Sequence, residues 1–210
     1  MSKINEVAAA VEAGKAKIVA GLVEEAIAEG CSPGDILNQG MIGAMATVGE
    51  KFKNNEIFVP EMLVAARAMK KGVEALKPYL AGDTSNTVGK MVMGTVHGDL
   101  HDIGKNLVIM MIESAGFDVV DLGVDVPVEK FVEAAADPSV TLVGASALLT
   151  TTMPALKATV EALNKVPNRS QFKIMVGGAP VTQEFADEIG ADAYTTDAAS
   201  AAEKAKSFVK

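Results

Sequence analysis

The chain has 210 residues, 49% of them apolar and 4% aromatic, and its 27 acidic and 19 basic side chains leave a net charge of −8. That length and apolar content support a buried core in one large or two small domains and exclude a disordered chain. The acidic balance speaks against a nucleic-acid-binding face, the single cysteine, Cys31, excludes an internal disulfide, and no apolar run reaches the ~20 residues of a membrane span.

Met1-Ser2-Lys3-Ile4-Asn5-Glu6 lacks a signal-peptide profile, so a cytoplasmic location is expected. The first eighty residues or so read as helix. Ile4, Val7, Ala8 and Val11 repeat at helical spacing, as do Ile18, Leu22, Val23, Ala26 and Ile27, with Gly14 between the two runs. Gly30 has the position of a helix-terminating residue, and Ser32-Pro33 supplies an N-cap followed by a first-turn proline. A third run carries Ile36, Leu37, Met41, Met45, Val48 and Phe52. Pro60 opens a fourth, bearing Met62, Leu63, Ala66, Met69 and Val73, which Pro78 is expected to stop. Four helical segments predict a small four-helix bundle.

The polar stretch Gly82-Asp83-Thr84-Ser85-Asn86-Thr87 reads as a linker. The expected organisation is a helical domain over 1–82, a linker over 83–89 and a second domain over 90–210. In that second domain short β-rich runs (Met91–Val96, Val119–Leu122, Leu142–Ala147, Ile174–Val176 and a weak one at Ala193–Thr195) alternate with amphipathic helical stretches. Strict alternation predicts an α/β fold with a five-stranded parallel sheet, flavodoxin-like and doubly wound in the Rossmann manner. Ligands in such sheets bind at the carboxyl ends of the strands, so the loops after the first, third and fourth strands are where chemistry is expected.

The loop after the first strand, Gly94-Thr95-Val96-His97-Gly98-Asp99-Leu100-His101-Asp102-Ile103-Gly104-Lys105-Asn106, holds both histidines of the chain. Asp99 precedes His101 by two residues, and in an extended loop that spacing puts both side chains on one side. A histidine that ligates a metal commonly donates its other ring N–H to a carboxylate. Taken alone, the pair reads first as a surface hydrogen bond, and a mononuclear zinc or iron site made from His97, Asp99, His101 and Asp102 is the second reading. Cys31 has no basic neighbour to activate its thiol, and Lys70-Lys71 reads as a solvated helix face.

Asp99-Leu100-His101-Asp102-Ile103-Gly104 matches the Asp-x-His-x-x-Gly signature of cobalamin-binding domains, Ser146-Ala147-Leu148 their Ser-x-Leu and Gly177-Gly178 their Gly-Gly. The three occur in order at the ends of the first, third and fourth predicted strands. Along almost its full length the chain resembles the small corrinoid proteins of methyltransferase systems and the cobalamin-binding module of methionine synthase. The resemblance implies a bound cobalamin, a cobalt corrinoid, whose nucleotide tail is detached from the metal and threaded into the sheet domain. His101 is then the lower axial ligand of cobalt, within a binding loop that includes Gly98, Asp99, Asp102, Ile103 and Gly104. Asp99 accepts the other ring proton. Thr152 stands where the methionine-synthase pattern continues this relay to a serine. Ser146, Leu148 and Thr150 line the tail pocket, Gly177, Gly178 and Ala179 leave it room, and Tyr194 touches the nucleotide. The stretch from Gly49 to Glu61 resembles the helical cap over the methyl-bearing face. Phe52 and Val59 take the shielding positions there, with valine where methionine synthase has leucine.

The resemblance implies a methyl carrier rather than a complete enzyme. Its expected partners are a donor-specific methyltransferase, an acceptor methyltransferase serving tetrahydrofolate or a thiol, and a reductive activase, with neither nucleic acid nor membrane. The cap must open for each partner, which makes residues 82–89 a candidate hinge. A cobalamin-dependent sensor and the small subunit of an adenosylcobalamin mutase are the alternatives.

Overall fold

The computed structural model describes residues 2–80 and 87–209, so the expected domain boundary at 82 and the linker and hinge over 82–86 lie outside the described residues. The chain divides into two compact units with the main break between Thr87 and Val88.

The first unit is helical: α1 (Lys3–Glu12), α2 (Ala16–Ala28), α3 (Pro33–Asp35), a π-helical segment (Ile36–Ile42), α4 (Gly43–Lys53) and α5 (Val59–Leu80). Ser2 and Ser32 cap α1 and α3, their hydroxyls accepting the N–H of Asn5 and Asp35. Left-handed Gly14 and Gly30 end α1 and α2. In each case two orphan carbonyls are satisfied, Ala10 and Val11 by the N–H groups of Lys15 and Gly14, Ala26 and Ile27 by those of Cys31 and Gly30. The third apolar run is not the continuous α-helix its spacing suggests. It turns π-helical around Gly40, where an added Cβ would lie 3.4 Å from the Ile4 carbonyl oxygen, so α1 rests on that backbone.

Three further expectations are corrected. Ile18 is 48% exposed, and the inner face of α2 is Val19, Val23 and Ala26. Pro78 lies inside α5 instead of stopping it, because in the last turn its missing N–H forfeits a single i→i−4 bond. At the other end, the carboxylate of Glu61 accepts the N–H of Phe58, and α5 opens at Val59 rather than at Pro60. Val7, Val11, Met41, Met62 and Leu76 are buried in this unit.

The second unit alternates as expected: β1 (Lys90–Val96), α6 (Ile103–Ser114), β2 (Asp118–Val126), α7 (Val128–Ala135), β3 (Val140–Ser146), α8 (Met153–Leu163), β4 (Lys173–Gly177), α9 (Gln183–Ile189), β5 (Ala193–Tyr194) and α10 (Ala198–Phe208). The strands form one parallel sheet in the order β2-β1-β3-β4-β5. β1 is buried almost throughout, as a parallel strand covered on both faces must be. Phe131 of α7 lies against Gly94, where a Cβ would come within 2.9 Å of its ring, and Leu156, Val160 and Phe172 belong to the same core.

β2 runs four residues past its expected end at Leu122. Opposite Met93, Gly94 and Val96 it carries extra residues, so its register with β1 shifts twice and its last residues reach the end of β1. The chain leaves β1 for β2 on one side and returns to β3 on the other, which opens a crevice at the carboxyl ends of β1 and β3. No helix of the described residues is long and apolar enough to cross a membrane.

Candidate functional site

At the end of β1 the Asp99 N–H donates to the Val96 carbonyl, with Gly98 left-handed between them at φ +80°. This tight turn drives the Asp99 side chain inward, where it is fully buried. A buried carboxylate is tolerable only when its lone pairs are satisfied, and here four donors reach it. Oδ1 accepts the backbone N–H of His101 at 3.1 Å and the Nδ1–H of the same residue at 2.8 Å. Oδ2 accepts the backbone N–H of Leu148 at 2.7 Å and the hydroxyl of Thr152 at 2.8 Å. Burial alone would raise the Asp99 carboxyl, but these donors outweigh it, led by the N–H groups of Leu148 and His101, and hold the group well below the usual carboxylate range.

The consequence for His101 is a fixed tautomer. With Nδ1–H donated to Asp99, the neutral ring has its lone pair on Nε2, and the side chain is 49% exposed. Thr95, buried in β1, donates its hydroxyl to the His101 carbonyl at 2.8 Å and holds the backbone as well. The Thr152 hydroxyl has one proton and two acceptors in reach, Asp99 Oδ2 and the Leu149 carbonyl at 2.9 Å. The ionised oxygen makes the stronger bond.

Apolar side chains adjoin His101 at the surface: Leu100 is 72% exposed and Ile103 84%, and Leu148 and Leu149 follow β3 in the same state. Uncovered apolar surface beside a histidine lone pair suits a large, flat, partly apolar ligand. His97 turns away to Asp125, its Nδ1 2.7 Å from Oδ1. Among the described residues no group of three metal-ligating side chains forms, so the four residues of the mononuclear alternative are not gathered around one point.

The other expected residues divide. Ser146 ends β3 in register with Thr95 and Gly177, between β1 and β4. Thr150 is exposed in a short 3-10 turn that also contains Thr152. Gly104 has nothing within 4 Å of the position of a Cβ, and Gly177 meets only the Thr195 carbonyl oxygen, at 4.0 Å, so both leave open space. Gly178 does not. Its φ is +128° and a Cβ would run into the Ala147 carbonyl, so its glycine serves the chain path. Ala179 is exposed beside it. Asp102 accepts the Asn106 side-chain amide at 3.1 Å and serves the start of α6. Tyr194 is half-buried against the sheet core. Phe52, half-buried, and Val59, 39% exposed, belong to the helical unit, where Phe58 beside Val59 is 62% exposed.

Residues 89–205 match a family described as B12 binding domain, and residues 3–77 match a second family of the same description. The dimethylamine corrinoid protein 1 of Methanosarcina acetivorans is 44% identical over 207 residues, 98% of this chain and 97% of that one. The chain belongs to the B12-binding corrinoid proteins. The trimethylamine corrinoid protein 1 of the same organism is 43% identical over 92% of this chain and 90% of its own length. Among solved structures, the methanol:cobalamin methyltransferase complex from Methanosarcina barkeri superposes with a TM-score of 0.86 at 32% identity, covering 99% of this chain and 79% of that one.

The cofactor of a B12-binding corrinoid protein is cobalamin, and the residues present fit it. An imidazole bonded to Asp99 through Nδ1, with its side chain half exposed, is a suitable nitrogen donor for cobalt through Nε2, and the open positions at Gly104 and Gly177 admit a bulky ligand. Sequence reading missed Thr95, Leu149 and Asp125. Thr95 and Leu149 flank motifs it did find. Asp125 carried no local signal, since the register of β2 alone brings it to this loop.

Proposed function

We propose that this corrinoid protein is a methyl carrier that holds cobalamin with its nucleotide tail off the metal and His101 Nε2 as the lower axial ligand. It receives the methyl group from a methyltransferase specific for a methylated amine. The observation that carries the reading is the buried Asp99 carboxylate, which fixes the His101 ring through Nδ1 and leaves Nε2 free.

Bound cobalt supplies the chemistry of accepting and releasing a methyl group. The chain's own residues position and protect. Asp99 keeps the imidazole in one tautomer and makes its other nitrogen more basic, and Thr152 and the Leu148 N–H keep Asp99 in place. Ser146, Leu148, Thr150, Gly177 and Ala179 line the tail pocket, with Gly98, Asp102, Ile103 and Gly104 in the loop beside it and Tyr194 near the nucleotide. Gly178 supports that pocket by its chain path. The helical domain, residues 1–82, contributes apolar cover from Phe52 and Val59, and residues 90–210 hold the cofactor. An acceptor methyltransferase, serving a thiol or tetrahydrofolate, takes the methyl group onward, and a reductive activase restores the reduced cofactor.

Two relatives that cover nearly the whole chain are named for dimethylamine and trimethylamine, which favours an amine donor over methanol. Purified protein reconstituted with hydroxocobalamin should bind one corrinoid. In the cobalt(II) state its electron paramagnetic resonance spectrum should show splitting by one histidine nitrogen, absent in His101→Ala. Identical spectra would overturn the axial assignment. Methylation of the loaded carrier by amine-specific and methanol-specific methyltransferases, followed by visible absorption, decides the donor class.

A further inference from the structure

The proposed function uses one of the two loop histidines. The other, His97, leads to Asp125, which lies one residue before the end of β2 and is left-handed at φ +52°, a conformation a non-glycine seldom keeps unless its surroundings over-determine it. Three bonds do so here. Asp125 Oδ1 accepts the Gly98 N–H at 2.7 Å and lies 2.7 Å from His97 Nδ1, and the Asp125 N–H donates to the Asp99 carbonyl at 2.9 Å. The His97 contact is solvent-exposed and so of little weight. The two bonds to the loop backbone remain. The Asp125 carboxyl lies below its ordinary range, held first by the Gly98 N–H against the opposing effect of burial, and then by His97.

We infer that Asp125 is a positioning residue for the axial-ligand loop, tying residues 97–99 to the end of β2 so that the Asp99 carboxylate meets His101 in register. The loop is then suspended across the switch point of the sheet. Asp99 is bonded through its backbone to β2 and through its carboxylate to Leu148 and Thr152 after β3. Without the Asp125 carboxylate, Gly98 is released and only the Asp125 N–H still ties the loop to β2, so the turn can shift while the Asp99 carboxylate stays anchored, which changes the angle at which Asp99 presents its Oδ1 to the ring. The inference rests on the reading of His101 as axial ligand.

Asp125→Gly tests it, because glycine keeps the left-handed backbone and the N–H to Asp99 while removing the carboxylate that holds Gly98. Asp125→Asn retains an acceptor and tolerates the same conformation. Each variant, with wild type and His101→Ala, is loaded with cobalamin, and three quantities are read: the unfolding midpoint, the affinity for hydroxocobalamin and the cobalt(II) nitrogen splitting. For Asp125→Gly the expected result is an unfolding midpoint near wild type, a His-ligated fraction reduced at least twofold, and affinity about tenfold weaker, the lower end of the effect of orienting residues. Asp125→Asn should restore both binding readouts. Asp125→Gly with wild-type splitting and affinity overturns the inference, as does a lowered midpoint with unchanged splitting. Wild type without the nitrogen splitting overturns the His101 reading and this inference with it, an outcome distinct from either.

Discussion

The backbone N–H of Leu148 donates to Oδ2 of Asp99 across 2.7 Å, which bonds the loop after β3 to the buried carboxylate after β1. The two strands are neighbours in the sheet, yet 49 residues separate the bonded pair in sequence. One carboxylate thus organises both sides of the crevice: Oδ1 serves the His101 ring, and Oδ2 serves the loop expected to contact the cofactor tail.

Asp99→Asn should therefore weaken the α/β unit even without cofactor. An amide at this position meets four donors with one acceptor oxygen, and the loss should be roughly 2–3 kcal/mol, as for buried bonds to a charged group. The pH dependence follows from the depressed native carboxyl. Between its native value and the value of about 4 in the unfolded chain, only the unfolded state binds the proton. The stabilisation is complete above about pH 4 and is lost as pH falls through the native value. Urea titrations across the acid range should show a shallower loss in the variant than in wild type.

Thr152→Val removes the hydroxyl at nearly constant volume and deprives Asp99 Oδ2 of one donor. It should cost about 1.5–3 kcal/mol in urea unfolding. Thr152→Ser keeps the bond and should recover most of that loss. A serine variant less stable than the valine variant would show that the methyl group, rather than the hydroxyl, matters there.

The adjacent glycines should behave differently. Gly178→Ala places a Cβ against the Ala147 carbonyl in a left-handed conformation, and should destabilise by about 1–3 kcal/mol or more. Gly177→Ala projects its methyl into open space, so the unfolding midpoint should hold while corrinoid affinity falls. Thermal melts of the unloaded proteins, paired with hydroxocobalamin titrations, separate the two.

A control lies at the start of β4, away from the site. Arg169 donates to the Phe172 carbonyl at 2.8 Å and to Asp192 Oδ2 at 2.6 Å, and its guanidinium stacks over Phe172 at 5.5 Å. Asp192 Oδ2 also accepts the Ile174 N–H at the start of the strand. Arg169→Met should lower stability by roughly 1–3 kcal/mol and leave the affinity of the folded protein for hydroxocobalamin unchanged, as isothermal titration below the melting range would show.

Much of this protein was legible as one-dimensional pattern. The alternation of β-rich and amphipathic runs from Met91 to Phe208 specified a parallel sheet, and Ser32 and Gly30 marked helix ends, because each depends on contacts within a few residues. The Asp99–His101 pairing belongs to the same class, since a spacing of two in an extended loop brings the groups together. Failures were also local in origin: Pro78 signalled a stop without saying that one lost bond in a last turn is affordable.

Spacing along the chain alone determined the sheet type and the histidine–aspartate pair. Tertiary structure decided the rest: which oxygen of Asp99 holds Leu148 and Thr152, why Gly178 is glycine, and that a bulged β2 delivers Asp125 to the loop. Those outcomes depend on strand register and on backbone approach between segments dozens of residues apart. No local periodicity encodes such distances, because they exist only once the sheet has closed its hydrogen bonds.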